Sequence, residues 1–594
     1  MMRNGSSGAS GRLAIVDLSP DKAQYRPGER GCLILEAEWK ADGAAGGNAG
    51  RPAGGADGRV RARFFNLHEL ARTVELDDVP IGPGRTEIRI PFDAPAVVWE
   101  GYGVEVELEV RDGTAEWMAR ASTALDVADH WRRAPRYGFL SDFGPGEWNR
   151  LEDAEAIRKL HLNVVQFYDW MYRHDELLPP ADVFTDPMGR RLCYPVIRQK
   201  RAALQERGAA AIAYGAVYAA LRDFLDLRPD WGLYKRNGEP FHLIDRFFIM
   251  DISPDSPWTA HIVEQFRRAV ADGFDGIHMD QYGFPKKAVR HRDGKDEVVD
   301  LAACYPQLIG RVKDAVRRER TEAGLIFNNV SNYPVHTTAG SDQDAVYIEV
   351  WPPVVHLREL KSLIDRARER SGGKQVILAA YLPAFHPGSG VPAEQAENGA
   401  IVTMAAIFAS GGFHLFLGED YKALTTAYYP DCGPLRPSFV REVRRYYDFI
   451  VRYGKLLYDP ALVDVSMAYA GGINEEVRFE APVPVEPNGR PGEIWSMVKA
   501  HPDRLILHLV NLTGLDDDRW EREKPARPRP QTGITCTVLA EKPVAGVYAA
   551  SPDGPDIAPV ALDVEEVPHG HGIGIRFTLP ELKVWMMVYV QYRD

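Results

Sequence analysis

The chain has few cysteines for its length, and they follow no pattern. Five cysteines are spread over 594 residues, and none belongs to a Cys-x-x-Cys pair or another spacing that ligates a metal. Neither a disulfide framework nor a structural zinc site is therefore predicted. Free, scattered cysteines are typical of a reducing compartment.

Long apolar runs and basic clusters are also missing. Apolar stretches such as 401–408 fall well short of the roughly 18 residues that a membrane span needs. The first ten residues contain no apolar segment of the secretory type. We therefore expect a cytoplasmic protein with no membrane partner, with export as the alternative. No run of Lys or Arg is available to bind phosphates, so no nucleic-acid partner is expected.

The chain divides by pattern into three regions after a disordered N-terminus predicted at residues 1–10. Residues 11–130 contain short alternating strands and predict an immunoglobulin-like β-sandwich, and a Gly/Ala-rich stretch at 41–58 predicts a disordered hairpin tip. Residues 456–594 return to alternating runs, among them VDVSMAYAGG, and predict a second β-sandwich.

The central region, residues 131–455, alternates apolar strands with amphipathic helices and predicts a (β/α)8 TIM barrel. An open doubly wound sheet is the alternative, but no G-x-G-x-x-G follows the first strand. The predicted strands are Tyr137–Phe143, Asn163–Tyr168, Ala210–Val217, Phe274–Asp280, Leu325–Val330, Val346–Trp351, Gln375–Leu382 and Phe413–Leu417.

Two carboxylates at predicted strand ends are the candidate catalytic residues, because barrel active sites lie at the carboxyl ends of the strands. Asp280 ends the fourth strand and Glu349 ends the sixth. Such a pair can serve a retaining glycosidase, in which one carboxylate attacks the anomeric carbon and the other acts as acid and then base. Glu349, beside Val350 and Trp351, is the better acid, since apolar surroundings raise a carboxyl pKa.

Amides, carboxylates and aromatic rings at the other strand ends suit a sugar site. Each of them has an alternative role in loop hydrogen bonding or in packing. The predicted substrate-binding residues are Asp142, Gln166, Asp169, Trp170, His174, Tyr282, Asn328, Asn329, Tyr333, Trp351 and Tyr381. No metal or cofactor is predicted, because the aspartates Asp142, Asp251 and Asp255 lack the spacing of a calcium loop.

Several of these segments resemble glycoside hydrolase family 66, the dextranase and cycloisomaltooligosaccharide glucanotransferase family. The motifs are GFLSDF, NVVQFYDWMYRHDELLPP, GFDGIHMDQYG, FNNVSNYP and YIEVWPP. The resemblance implies the same order of parts over nearly the whole chain, with Asp280 as nucleophile, Glu349 as acid/base and Asp169 in the glucosyl subsite. It also implies an oligo- or polysaccharide substrate, α-1,6-linked glucan, cleaved with retention.

Two departures from the family pattern affect the expected activity. The fourth strand ends His278-Met279-Asp280 where the family has a Gly-Asp-Thr style ending, and the barrel lacks the long insertion of cyclising members. We therefore expect hydrolysis of dextran or isomaltooligosaccharides. Transglycosylation or cyclisation, and a non-catalytic carbohydrate-binding protein on a degenerate barrel, remain the alternatives. The sequence does not decide between a monomer and a homodimer.

Overall fold

The computed structural model describes residues 13–40 and 56–593, and its centre is an eight-stranded parallel sheet. Each strand of this sheet hydrogen-bonds to the next one along the chain, as in a (β/α)8 barrel. The residues of strands two, six and seven are all buried, which explains their continuous apolar sequences. Barrel strands one to eight are Tyr137–Leu140, Val164–Phe167, Ala210–Ala216, Gly276–Asp280, Gly324–Val330, Ala345–Glu349, Val376–Ala379 and Phe413–His414.

The sheet is nearly closed where the chain beyond strand eight meets strand one. A Cβ atom on Gly418 would lie 2.3 Å from the carbonyl oxygen of Phe139, so only glycine permits this approach. All eight predicted strands are therefore confirmed, with ends that differ by a few residues. The open-sheet alternative is wrong, because strands one and eight approach each other.

A helix follows every barrel strand, although the one after strand five has a single turn. The helix Leu357–Ser371 shows how the sequence specifies these elements. It begins at a capping box between His356 and Glu359, buries one apolar face and ends at Gly372 with φ of 71°. The eight helices are Glu152–Lys159, Tyr194–Glu206, Pro257–Ala271, Leu301–Glu319, Val335–Thr338, Leu357–Ser371, Ala393–Ala409 and Pro437–Arg452.

Long connections at the carboxyl ends of the strands carry small additional elements. One of them, between barrel strands three and four, forms a three-stranded sheet beside the cavity described below. The additional elements are the strands Val183–Thr185, Arg191–Cys193, Ala219–Ala220, His242–Leu243, Phe247–Ile249, Lys287–Arg292, Lys295–Asp300, Lys422–Ala423 and Gly433–Pro434, and the helix Arg222–Leu227. A further short helix, Gly454–Tyr458, follows the last barrel helix.

The N-terminal region consists of two antiparallel sheets around a shared apolar core. In the strand Arg30–Trp39 every second residue is buried, the pattern of a sheet with one covered face. The described strands of the two sheets are Leu13–Pro20, Arg30–Trp39 and Gly84–Asp93 in one, and Glu69–Ile81, Ala56–Asn66, Trp99–Asp112 and Ala115–Ala128 in the other. Residues 1–12 and 41–55, which include most of the predicted disordered segments, lie outside the described residues.

The C-terminal region also has two sheets around its own core. One run predicted as a strand is wrong, since VDVSMAYAGG forms the two-residue strand Val463–Asp464 and then the helix Ser466–Tyr469. The larger sheet contains Val463–Asp464, Val485–Glu486, Ile494–His501, Arg504–Asn511, Trp585–Tyr592, Val544–Ala550 and Val560–Ala561, and the smaller one Val477–Glu480, Thr535–Leu539, Gly572–Thr578 and Glu565–His569. The division of the chain into domains at 130 and 455, and the immunoglobulin-like type, stay predictions.

A buried ion pair joins the N-terminal sheets to the barrel. Arg136, one residue before barrel strand one, donates to both carboxylate oxygens of Asp126 at 3.0 and 2.8 Å, and the two side chains are only 1% and 2% exposed. Asp126 lies in the last N-terminal strand, so neither side chain has its partner without the other region.

No helix in the described residues combines the length and the apolar character needed to cross a membrane.

Candidate functional site

A cavity of about 500 Å³ opens at the carboxyl ends of the barrel strands, and both candidate catalytic carboxylates line it. Asp280 is the last residue of barrel strand four, and Glu349 is the last residue of strand six. Strand five lies between them and pairs Val330 with Glu349. The barrel therefore brings together two residues that are far apart in sequence.

The side-chain amide of Asn328, on strand five, bridges the two carboxylates. Its Nδ2 donates a 2.7 Å hydrogen bond to Oδ1 of Asp280 and a 3.0 Å hydrogen bond to Oε2 of Glu349. Since both bonds share one nitrogen, these two oxygens lie within about 5.7 Å of each other. That is shorter than the roughly 6.5–9.5 Å separation of inverting pairs and fits the roughly 5–5.5 Å of retaining pairs.

Each carboxylate has a second donor, a tyrosine hydroxyl. Tyr214 on strand three donates to Oδ2 of Asp280 at 2.6 Å, and Tyr381 after strand seven donates to Oε1 of Glu349 at 3.0 Å. Hydrogen bonds to a carboxylate favour its ionised form. Both oxygens of each carboxylate are therefore held in fixed positions.

The two carboxyl groups differ in how strongly the site disfavours their charge. Burial, and then the negative charge of Asp280, raise the pKa of Glu349 to about 7, against the lowering effect of its hydrogen bonds. Burial also raises the pKa of Asp280, but the hydrogen bonds from Tyr214 and Asn328 lower it. Such a pair can hold one proton, on Glu349, near neutral pH.

A third carboxyl group, Asp169, lies in the same cavity wall. Burial raises its pKa to about 7, and Arg190 acts in the opposite direction. Arg190 donates to the backbone oxygen of Asp169 at 2.8 Å and forms an ion pair with Asp186. Asp169 has φ of 46°, an uncommon conformation that this anchoring maintains.

His174, one of the predicted substrate-binding residues, has a ring nitrogen that is free to bind a substrate hydroxyl. It is buried in the cavity wall with its edge against Phe247, and its Nδ1 has no hydrogen-bond partner among the described residues. Burial lowers its pKa to about 3, so the ring is neutral at ordinary pH.

Seven further predicted contacts line the cavity, beside the catalytic pair. They are Gln166, Asp169, His174, Tyr282, Asn328, Trp351 and Tyr381. Their positions agree with the prediction, and their contact with a sugar stays a prediction.

Four predicted substrate contacts do not line the cavity, and the structure assigns their side chains to other contacts. Trp170 is fully buried and its indole N–H donates to the carbonyl of Tyr214, so it packs inside the barrel wall. Asn329 is fully buried and its amide binds backbone carbonyls of strands five and six. Asn329 follows Asn328 directly in strand five, where neighbouring side chains point to opposite sides of the strand. Trp170 follows Asp169 in the connection after strand two, which ends at Phe167.

The other two corrections concern exposed or peripheral positions. Asp142 is exposed, and its carboxylate accepts a hydrogen bond from the backbone of Gly144 after strand one. Tyr333 lies outside the cavity with its ring 3.3 Å from the ammonium of Lys286. Both predictions assumed that closeness to a strand end in sequence places a side chain in the mouth.

Sequence reasoning missed several aromatic residues of the cavity. Tyr168 stacks on Tyr429 at 4.2 Å between ring centroids, and His278 stacks above Tyr214 at the base of the cavity. His278 could have been found by the two-residue period of strand four, which places it on the same face as Asp280. The missed residues of the lining are Tyr168, Met188, Tyr214, Leu243, Ile244, Phe247, His278, Gln281, Val330, Ser331, Tyr347, Ala427, Tyr428 and Tyr429.

Among the described residues, no group of three or more His, Cys, Asp and Glu side chains is arranged to hold a metal ion. The cavity lining presents carboxyl, amide, phenol and imidazole groups.

Comparisons with known proteins identify relatives of the whole chain. A cycloisomaltooligosaccharide glucanotransferase of Niallia circulans is 24% identical over 741 aligned positions, which cover all of this chain and 74% of the relative. A second from the same organism is 23% identical, covering 98% of this chain and 72% of the relative. The crystal structure of a Paenibacillus sp. cycloisomaltooligosaccharide glucanotransferase in complex with cycloisomaltoheptaose has a TM-score of 0.83 at 22% identity, covering 97% of this chain and 100% of that one.

The family resemblance rests on the whole length of the chain and not only on the barrel. The model of glycosyl hydrolase family 66 matches residues 20–589, a span that contains the N-terminal sheets except most of their first strand, the barrel and nearly all of the C-terminal sheets. The chain belongs to glycosyl hydrolase family 66.

Proposed function

We propose that this protein cleaves α-1,6-linked glucan with retention and transfers the cleaved glucanosyl group to a sugar hydroxyl. The observation that carries the proposal is the pair of carboxylates bridged by Asn328 at the ends of barrel strands four and six. Family membership and the names of the two Niallia circulans relatives support the linkage and the transfer.

In the first step, Asp280 attacks the anomeric carbon and the bond from that carbon to the glycosidic oxygen breaks. Glu349 gives its proton to the departing oxygen, so the leaving sugar departs as an alcohol. With a pKa of about 7, about half of Glu349 carries a proton at neutral pH, and this step uses the protonated form. The glucosyl group is then an ester of Asp280.

In the second step, Glu349 takes a proton from an acceptor hydroxyl, whose oxygen attacks the anomeric carbon and displaces Asp280. The negative charge of Asp280 is one of the causes that raise the pKa of Glu349. That charge is absent from the ester, so the pKa of Glu349 falls when it must act as a base. Two inversions at the anomeric carbon give net retention.

The rest of the cavity offers groups for binding the sugar. Gln166, Asp169 and the free Nδ1 of His174 can exchange hydrogen bonds with hydroxyls. Trp351, 37% exposed, offers an aromatic face to the ring C–H groups. A cavity that combines few polar groups with aromatic walls is the usual form of a small-molecule site.

Hydrolysis, with water as the acceptor, is the second candidate. The alignment with the first relative spans 741 positions, whereas this chain has 594 residues, so the relative contains segments without a counterpart here. An acceptor sugar competes with water for the glycosyl group, and only contacts that hold the sugar in place favour transfer. The same two carboxylates serve both reactions.

The test is incubation with an isomaltooligosaccharide of defined length, with product sizes followed by chromatography, reducing ends by titration and the first anomer by NMR. Transfer gives products longer than the substrate, or cyclic products, without one new reducing end per bond cleaved. Hydrolysis gives only shorter products and one new reducing end per bond. Release of the β-anomer first would contradict retention, and absence of turnover would contradict the proposed substrate.

A further inference from the structure

One wall of the catalytic cavity is apolar and ends in an exposed turn. The wall consists of Met188, Leu243, Ile244 and Phe247, all of which line the same cavity as Asp280 and Glu349. Ile244 is 60% exposed, a large value for an isoleucine in a cavity wall. His174 borders this wall, with its ring 4.7 Å from that of Phe247.

The backbone of this turn is unfavourable for the residues that it holds. Ile244 has φ of 48° and Asp245 has φ of 53°, and a hydrogen bond from Arg246 N to Leu243 O closes the turn at 3.1 Å. Two successive positive φ values occur in turns that normally use Asn and Gly. A β-branched residue is a genuine outlier in this region, because its side chain crowds the backbone.

The turn is nevertheless fixed in place from both sides. Leu243 pairs with Phe247 in the adjoining strands, and Phe247 packs against the His174 ring at 4.7 Å. The guanidinium of Arg246 donates to the carbonyl of Pro187 and lies 3.9 Å from the sulfur of Met188. The connections after barrel strands two and three therefore form one continuous apolar surface.

We propose that Ile244 is a specificity-determining residue whose side chain packs against the C–H face of a glucosyl ring bound in the catalytic cavity. The inference rests on the proposed function and adds a binding contact to it. Strain and exposure both disfavour isoleucine at this position of the free protein, and a bound sugar ring would cover the exposed side chain. The catalytic pair does not require an apolar residue here.

The turn supplies its own test and control. Ile244→Gly removes the apolar side chain and relieves the strain, while Asp245→Gly relieves the same kind of strain at a side chain that is 92% exposed and does not line the cavity. Ile244→Asn replaces the apolar side chain by a polar one that tolerates positive φ. All three variants are expected to unfold at or above the wild-type temperature.

We expect both Ile244 variants to raise KM for an isomaltooligosaccharide about 5- to 20-fold, the effect of losing a partly buried isoleucine contact, with little change in kcat. Asp245→Gly should keep the wild-type KM. Binding of the same sugar to the Asp280→Asn protein, measured by calorimetry with and without Ile244→Gly, gives a readout that is independent of turnover.

An unchanged KM and an unchanged dissociation constant in the Ile244 variants would overturn the inference while the proposed function stands. An equal loss in Asp245→Gly would also overturn it, since backbone relief alone would then explain the effect. If the wild-type protein neither binds nor cleaves α-1,6-linked glucan, the proposed function fails, and the inference fails with it.

Discussion

The hydroxyl of Tyr381 donates a hydrogen bond to Oε1 of Glu349 at 3.0 Å. This bond stabilises the ionised carboxylate, whereas burial and the charge of Asp280 stabilise the protonated acid. The pKa of about 7 is the balance of these effects and of the hydrogen bond from Asn328, so the Tyr381 phenol is one of the groups that set the pH at which the acid loses its proton.

We expect a bell-shaped dependence of kcat/KM on pH with its basic limb near pH 7, because the protonated Glu349 is lost as pH rises through its pKa. Tyr381→Phe removes a group that lowers this pKa, so the basic limb should move to higher pH. Tyr453→Phe, whose hydroxyl binds the carbonyl of Ile557, is the control and should not move the limb. A limb that stays in place in Tyr381→Phe would show that the hydrogen bond does not tune the acid.

Asp280→Asn should lower kcat about 10⁴-fold or more, because it removes the nucleophile while the amide keeps the shape of the side chain. Turnover of isomaltooligosaccharides and the circular dichroism spectrum are the measurements. Asp314→Asn, an exposed change on the helix Leu301–Glu319, is the matched control and should retain full activity. Undiminished turnover in Asp280→Asn would remove the nucleophile assignment.

Glu349→Gln should slow the cleavage of α-1,6-linked glucan about 10²- to 10⁴-fold, since a sugar alkoxide leaves poorly without a proton. Activated aryl glucosides need little acid assistance and should lose far less in their rate of glycosyl-enzyme formation. Single-turnover kinetics on both substrates separates this step from the next one. Equal losses on the two substrates would argue against an acid role.

Asn328→Ala should lose mainly activity, and Asn329→Ala should lose mainly stability. Asn328 binds the catalytic carboxylates, so its loss should lower kcat about 10²-fold with a small change in stability. Asn329 binds Phe327 O, Tyr347 O and the Thr338 hydroxyl, so its loss should cost about 1–3 kcal/mol of unfolding free energy. Thermal unfolding and steady-state kinetics on the same samples make the comparison, and parallel effects in both variants would contradict it.

The raised pKa of Glu349 is expected to lower the free energy of unfolding at neutral pH. The folded pKa of Glu349, about 7, is above its ordinary value of 4.5, so the native state holds a proton that the unfolded state releases between these pH values. Stability therefore falls as pH rises from 4.5 to 7. Glu349→Gln removes the cost and should stabilise the protein by about 1–3 kcal/mol at pH 7 and above, with no gain below pH 4.5. Glu206→Gln, an exposed change at a helix end, should show neither effect in denaturant titrations at the two pH values.

The eight barrel strands and the meeting of Asp280 with Glu349 could be predicted from sequence, because buried strands are apolar throughout and barrel geometry gathers their carboxyl ends. The direction in which each side chain points could not be predicted from sequence. Asp169 and Trp170 are neighbours near a strand end, and only the first faces the cavity. Their order depends on where the strand stops, a boundary that composition defines only to within a few residues.

Contacts formed by long connections were beyond sequence reasoning for a different reason. Tyr429 follows strand eight but stacks on Tyr168, which follows strand two. Ile244 belongs to a turn whose positive φ values contradict its residue type. No local sequence pattern identifies a residue whose backbone conformation is unfavourable for its type, since the surrounding packing decides that conformation.

The buried pair of Arg136 and Asp126 sets a limit on how this molecule can be dissected. A fragment that starts between Asp126 and Arg136 would keep the Arg136 guanidinium without its counter-ion, at a cost of about 3–5 kcal/mol. Expression of an isolated catalytic core should therefore yield insoluble chain. In a chimera that uses this barrel, the junction therefore has to lie before the N-terminal sheets. The N-terminal region and the barrel are then the smallest unit that can be exchanged.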